Sequence, residues 1–415
     1  MSARSIIGVT TQALWSGLSF IVAILLARYM RLEEFGWYAV ALTLKQLFVM
    51  VLGALVLTPV TILSGRTEDM DSRVPMNSAA VAILRFVVLG GLAIGMACNF
   101  IFAFPAAQLV VFVLGGVAVE LQRRLNFIDD RVDQDLIGGI ANLFFIVAAI
   151  LIVHKHGYLF LSVVFVVIGG VNLIWAMASG WKLWSRWRAP IAWNELAEMW
   201  YLGRWSLASN FTGYIYSQMN VFLTLPLVGP AGVGILELGR QLVTFVQVLI
   251  LGMSNVWLPR LARSAASDDS RVFLRLVWRM TRLQTAIGAI MLLVVLLATP
   301  SFLPVFFPGK EDAFPMAVSI AWILAVGMIC QLLWQHPSFA ATALGKPEYG
   351  FVSRLITCLM LIPVGFALTL SYGVVGAAWT RAIGEILILA FSIVMLYRAV
   401  DAHGRAASLA ASQRS

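Results

Sequence analysis

Apolar residues in this chain come in runs of about 20, separated by short polar or basic connections. The runs fall at about residues 7–28, 36–62, 77–101, 105–125, 136–153, 158–180, 203–227, 232–258, 280–300, 315–343, 350–371 and 375–397. Each is long enough for one helical crossing of a bilayer, where every backbone polar group must be satisfied within the segment. The pattern therefore predicts an all-α polytopic membrane protein with about 12 transmembrane helices. Composition agrees: 61% of the 415 residues are hydrophobic and 12% charged, too little charge to cover a soluble protein of this size. The first run follows a single Arg4 and shows no small-residue cleavage site, so it reads as a retained span.

The connections alternate in charge. With the N-terminus in the cytoplasm, the cytoplasmic segments carry Arg66 and Arg73, Arg123, Arg124 and Arg131, Lys182, Arg186 and Arg188, the arginines from Arg260 to Arg282, and Lys346 and Arg354. The opposite side carries Arg28, Arg31, Lys155 and Lys310. That bias predicts both termini inside and an even number of spans. It also accounts for the net charge of +9 without nucleic acid. Cys98, Cys330 and Cys358 all lie in apolar runs, with no disulfide framework or metal-ligand spacing. The longest basic connection, 181–202, mixes Trp181, Trp184, Trp187, Trp193 and Trp200 with charges and reads as an interfacial segment. It divides the chain into a six-helix lobe (1–180), a cytoplasmic linker (181–202), a second six-helix lobe (203–400) and a cytoplasmic tail (401–415).

The halves echo each other. LEEFGWYAVALTLKQL opens span two and GPAGVGILELGRQL opens span eight, aligning Gly36 with Gly234. Pro59 and Pro259 close those spans at nearly the same offset. Such a repeat predicts two pseudo-symmetric lobes with a substrate site between them near mid-membrane. Span seven carries Ser206, Asn210, Ser217, Asn220 and Thr224 at helical spacing, with Tyr214, Tyr216 and Gln218 nearby. Span one carries Gln12, Ser16 and Ser19. Such residues either line a cavity or let helices approach closely.

Charge inside spans is the sharpest chemical signal, because it is costly in lipid and belongs against protein or water. Glu237, Arg240 and Gln241 share a face of span eight, continued by Thr244 and Gln247. Lys45 holds the equivalent part of span two, with no acid one turn away along its own helix. Arg381 and Glu385 stand one turn apart in span twelve. Two readings remain open: cations that receive an anionic headgroup, or ion pairs that hold the bundle. Glu237 and Glu385, with Glu120 at a span end, are candidate ion-coupling carboxylates. Gln335, His336 and Pro337 interrupt span ten and read as a proline kink with polar residues beside it.

One motif suggests an enzyme. Asp129-Asp130-Arg131-Val132-Asp133, followed by Asp135, has the spacing with which membrane prenyltransferases bind magnesium and a prenyl diphosphate. Asp268-Asp269 supplies no matching second motif, and the span count is too high, so a solvated loop is the better reading. There is no P-loop and no nucleophile elbow. Transport is expected, without a cofactor or a resident metal.

Three stretches carry a family resemblance: ILLARYMRLEEFGWYAVALTL, GPAGVGILELGRQLVTFVQVLILGMSNVWLPRLAR and TALGKPEYGFVSRLITCLMLIPVGFALTLSYGVVGAAWTRAIGEI. The first resembles the first loop of Wzx-type polysaccharide flippases, in the multidrug/oligosaccharidyl-lipid/polysaccharide (MOP) exporter superfamily. The second resembles their eighth helix and the third their last three. Gly203-Arg204-Trp205-Ser206 departs by lacking a proline at the start of span seven. The resemblance implies a flippase that moves an undecaprenyl-diphosphate-linked oligosaccharide, an O-antigen or exopolysaccharide repeat unit, across the bacterial inner membrane. It implies alternating access coupled to H+ or Na+, and work alongside a polysaccharide polymerase and glycosyltransferases. It places Lys45, Arg240, Gln12 and Asn220 on the cavity helices, to which Arg381 and Gln241 add polar groups. The rival expectations are a multidrug or organic-cation antiporter of the same superfamily and, remotely, the prenyltransferase.

Overall fold

The computed structural model describes residues 3–57, 59, 106–128, 131–179, 193–265, 270–344, 346 and 348–412. Regular structure there is helical, with no strand among the described residues. The helices are α1 (Ala3–Tyr29), α2 (Leu32–Leu52, continued by one π turn, Gly53–Leu57), α3 (Ala106–Ile128), α4 (Val132–Lys155) and α5 (Leu161–Ser179). They continue with α6 (Trp193–Val228), α7 (Pro230–Ala265), α8 (Ser270–Phe306), α9 (Phe314–Ala343, after a 3-10 turn) and α10 (Glu348–Ser412). The expected third span, 77–101, lies outside the described residues, as do Arg85, Asp129 and Asp130.

Local chemistry sets several of these boundaries. The α2 start follows from LEEFG: Glu33 and Glu34 occupy its first turn, where acids suit the helix dipole. Glu34 also accepts a hydrogen bond from the Arg31 backbone N–H at 3.3 Å. α10 covers the two expected last spans in one run, broken at Gly373 (φ 59°, ψ −134°). Only glycine takes that conformation without strain, so SYGVVG makes the hairpin. The helix continues past residue 400 as far as Ser412, where a tail was expected. α6 begins at Trp193, so the described part of the 181–202 connection forms the first turns of span seven.

The helices carry apolar side chains outward as well as inward. On α4, Ile137, Ile140, Phe144, Phe145 and Ile152 are exposed; on α8, so are Ile290, Leu293, Val294 and Leu297. Exposed apolar faces of that extent suit lipid, not water. Among the described residues, six segments are long and apolar enough to cross a membrane: Leu32–Val56, Asp133–Lys155, Leu161–Ser179, Arg271–Phe306, Glu311–Ala343 and Glu348–Ala402.

The chain divides into two compact units, Met1–Tyr214 and Ile215–Ser415, so the division falls inside α6. In the first, Phe35, Tyr38, Phe112 and Phe165 form a continuous aromatic core across α2, α3 and α5. There α3 meets α5 backbone to backbone: a Cβ on Gly115 would stand 2.2 Å from the Gly169 carbonyl oxygen. In the second, Leu261, Phe273, Val277, Met280, Ala340, Leu396 and Val400 form one core cluster. Tyr216, Met219, Trp334, Cys358, Leu361 and Ile388 form another.

Candidate functional site

Each unit buries a cluster of charge. In the first unit, Lys45 on α2 runs against α3. Its Cδ occupies the space that a Cβ on Gly116 would need, 2.3 Å away. Its ammonium stands 5.5 Å from the centre of the Phe112 ring. The carboxylate whose charge reaches it is Glu120, one turn further along α3. Lys45 lacks an acid along its own helix, but the fold supplies one from another.

Arg123, also on α3, extends that cluster. Its Nη1 stands 3.0 Å from Glu120 Oε2, and its Nε 3.6 Å from Asp135 Oδ2 on α4. The guanidinium carbon lies 4.6 Å from the centre of the Trp15 ring on α1, so the indole covers it. Asp135 is fully buried. This corrects the solvated-loop reading of the aspartate run: Asp133 is exposed, as a loop residue would be, but Asp135 is not. Asn126, on the last turn of α3, accepts a hydrogen bond from Gln122 at 2.8 Å, and its carbonyl receives the Arg131 N–H at 2.7 Å. These contacts hold the α3–α4 connection against the cluster.

The second unit holds two arrangements. On α7, Arg240 grips Glu237 side-on, with Nε 2.7 Å from Oε2 and Nη2 2.9 Å from Oε1. The Nη2 contact is a hydrogen bond, whereas Nε lies close without closing one. Gln241 donates to the same carboxylate, and Thr244 bonds back to the Arg240 carbonyl at 2.8 Å. Glu237 is 2% exposed as a side chain and Arg240 29%, so the acid is enclosed while the guanidinium keeps an open edge.

The other arrangement spans α6, α9 and both arms of α10. Glu385 takes Arg381 Nη2 at 2.6 Å on one oxygen and the Trp334 indole N–H at 2.7 Å on the other. Arg381 stacks 4.6 Å from the centre of the Tyr216 ring and donates to the Tyr216 carbonyl at 3.4 Å. Arg354 lies 6.0 Å from the centre of the Trp334 ring. Beside it, Gln284 on α8 donates to Gln335 on α9 at 3.2 Å, and α9 runs helical through His336 and Pro337.

The remaining expected site residues are scattered. Asn220 is buried in the second unit, its Oδ1 accepting from the Val221 N–H at 3.1 Å. Gln12 lies on α1, but its side chain is outside the described residues. Sequence reading missed Asp135, Trp15, Trp334 and Arg354. Asp135 at the start of a span was the available signal for the first two. Nothing in the spacing of Trp334 or Arg354 pointed to Glu385.

No protein-family model and no curated protein matches this sequence. Solved structures do match. One is the inward-facing conformation of a multidrug resistance MATE family transporter of the MOP superfamily, with TM-score 0.73 and 12% identity over 97% of this chain and 99% of that one. The chain has the fold of that transporter. The lipid II flippase MurJ, in an inward closed conformation, matches with TM-score 0.69 and 10% identity over 96% of this chain and 90% of that one. A eukaryotic MATE transporter, AtDTX14, matches with TM-score 0.62 and 15% identity over 97% and 96%. The MOP neighbours are transporters and a flippase, and the chain shares their multi-pass helical membrane fold.

Proposed function

We propose that this protein flips an undecaprenyl-diphosphate-linked oligosaccharide from the cytoplasmic to the periplasmic leaflet of a bacterial inner membrane, with both termini in the cytoplasm. Lys45 and Arg240 receive the diphosphate, Arg381 adds a further cation, and Gln12, Gln241 and Asn220 contribute polar contacts. Glu237 and Glu385 couple the cycle to H+ or Na+. The observation that carries this reading is the charge balance of the second unit's clusters. Among the described residues, Arg240 and Arg381 pair with Glu237 and Glu385, and Arg354 beside Trp334 adds a third guanidinium. Guanidiniums that outnumber the enclosed carboxylates beside them favour an anionic ligand, and arginine forks suit phosphate. The fold likeness to the lipid II flippase MurJ supports a lipid-linked cargo.

A second reading has its own support. The likeness to a multidrug resistance transporter covers nearly the whole chain, and the charge of Glu120 reaches Lys45, so the first unit's cluster is not purely cationic. Paired assays in proteoliposomes separate the two. The flippase reading expects a fluorescent undecaprenyl-diphosphate oligosaccharide to become accessible at the far leaflet, while ethidium is not moved. Ethidium efflux without lipid translocation would reject it in favour of the antiporter.

A further inference from the structure

The aspartate at the start of α4 has a role that the transport reading does not use. Asp135 sits at the fourth position of α4 with no side-chain exposure. Among the described residues neither of its carboxylate oxygens accepts a hydrogen bond. The nearest cation, Arg123 Nε, stands 3.6 Å away, too far for a hydrogen bond, and the same guanidinium serves Glu120 at 3.0 Å. The Trp15 indole N–H faces the carboxylate without closing a hydrogen bond to it. A buried carboxylate usually has its oxygens satisfied, because an ionised one left bare is costly. Here the arrangement keeps two acids on one guanidinium and leaves one of them without a direct bond.

We propose that Asp135 is a proton-binding carboxylate. Taking a proton converts it to the neutral acid and leaves Arg123 to Glu120. Losing the proton restores the shared pair. Among the described residues, these groups face Asp135. Arg123 and Glu120 face it from α3, and Lys45 on α2 lies within electrostatic reach of Glu120. From α1 the facing group is the Trp15 indole, and α5 has no titratable residue anywhere in its sequence. Exposed Arg131, Asp133 and Gln134 just precede Asp135 on the chain, so water reaches within a turn of it. The ligand is a proton, and the device it moves is the guanidinium that ties α3 to α4. The proposal stands whatever the transported cargo is.

Infrared spectroscopy of the full-length protein in lipid, titrated with pH, tests it without any substrate. The expected result is a protonated-carboxyl C=O band that appears on acidification, shifts on isotopic labelling of aspartate carboxyls but not of glutamates, disappears in Asp135→Asn and survives in Asp133→Asn. The labelling result is read on the unmutated protein, so it holds even if Asp135→Asn folds poorly. Absence of such a band, its assignment to glutamate, or its persistence in folded Asp135→Asn would overturn the proposal.

Discussion

The two units solve the same problem, charge buried in a helical bundle, with opposite polarity. The first is centred on a cation: Arg123 lies between Glu120 and Asp135 under the Trp15 ring. The second is centred on an anion: Glu385 lies between Arg381 and the Trp334 indole N–H, with Arg354 6.0 Å from the centre of that indole. Both use an aromatic lid and bring charge from several helices, so both tie a bundle together. The difference lies in what remains over. In the first, Lys45 and Arg123 are matched by Glu120 and Asp135; in the second, among the described residues of its clusters, Arg240, Arg354 and Arg381 outnumber Glu237 and Glu385. A cationic surplus suits an anionic cargo.

That contrast can be broken most forcefully at its second centre. Glu385→Ala strands Arg381 and the Trp334 N–H, and removing one partner of a buried pair costs about 3–5 kcal/mol. A large fall in the thermal midpoint in detergent is expected, and Glu385→Gln, which keeps an acceptor for Trp334, falls less. Equal losses for the two variants would show that the indole contact carries nothing. In the first unit, Arg123→Ala leaves two carboxylates without their shared cation and costs about 3 kcal/mol. Adding Asp135→Asn to it recovers part of that loss, a non-additivity that a double-mutant cycle reads directly. Strict additivity would mean that the two groups do not interact. Gly373→Ala strains the α10 hairpin by roughly 1–2 kcal/mol, because the backbone there is left-handed. Gly116→Ala costs least, about 1 kcal/mol, since the atoms in its way belong to a flexible lysine. It displaces Lys45, so transport suffers more than stability. A variant that transports normally would remove Lys45 from the mechanism.

Much of the architecture was legible in the sequence, because hydropathy and the Gly and Pro positions encode it directly. Runs of apolar residues marked helices, and SYGVVG marked the break at Gly373. The pairs one turn apart, Glu237–Arg240 and Arg381–Glu385, were also legible, since helical spacing alone brings them together. What spacing could not reveal were partners from other helices. Glu120 reaches Lys45, Trp334 reaches Glu385 and Asp135 reaches Arg123 only because separate helices pack together. Asp135 was misread because a run of aspartates looks solvated, yet the helix starts at Val132 and its first full turn carries that side chain inward.

The most direct test of the transport account is the rate at which a fluorescent undecaprenyl-diphosphate oligosaccharide crosses proteoliposomes bearing Lys45→Ala or Arg240→Ala. Loss of one charge-assisted phosphate contact is worth about 1.5–3 kcal/mol, so folded, inserted variants should translocate roughly tenfold to a hundredfold more slowly than the parent. Rates equal to the parent's in both variants would contradict the account.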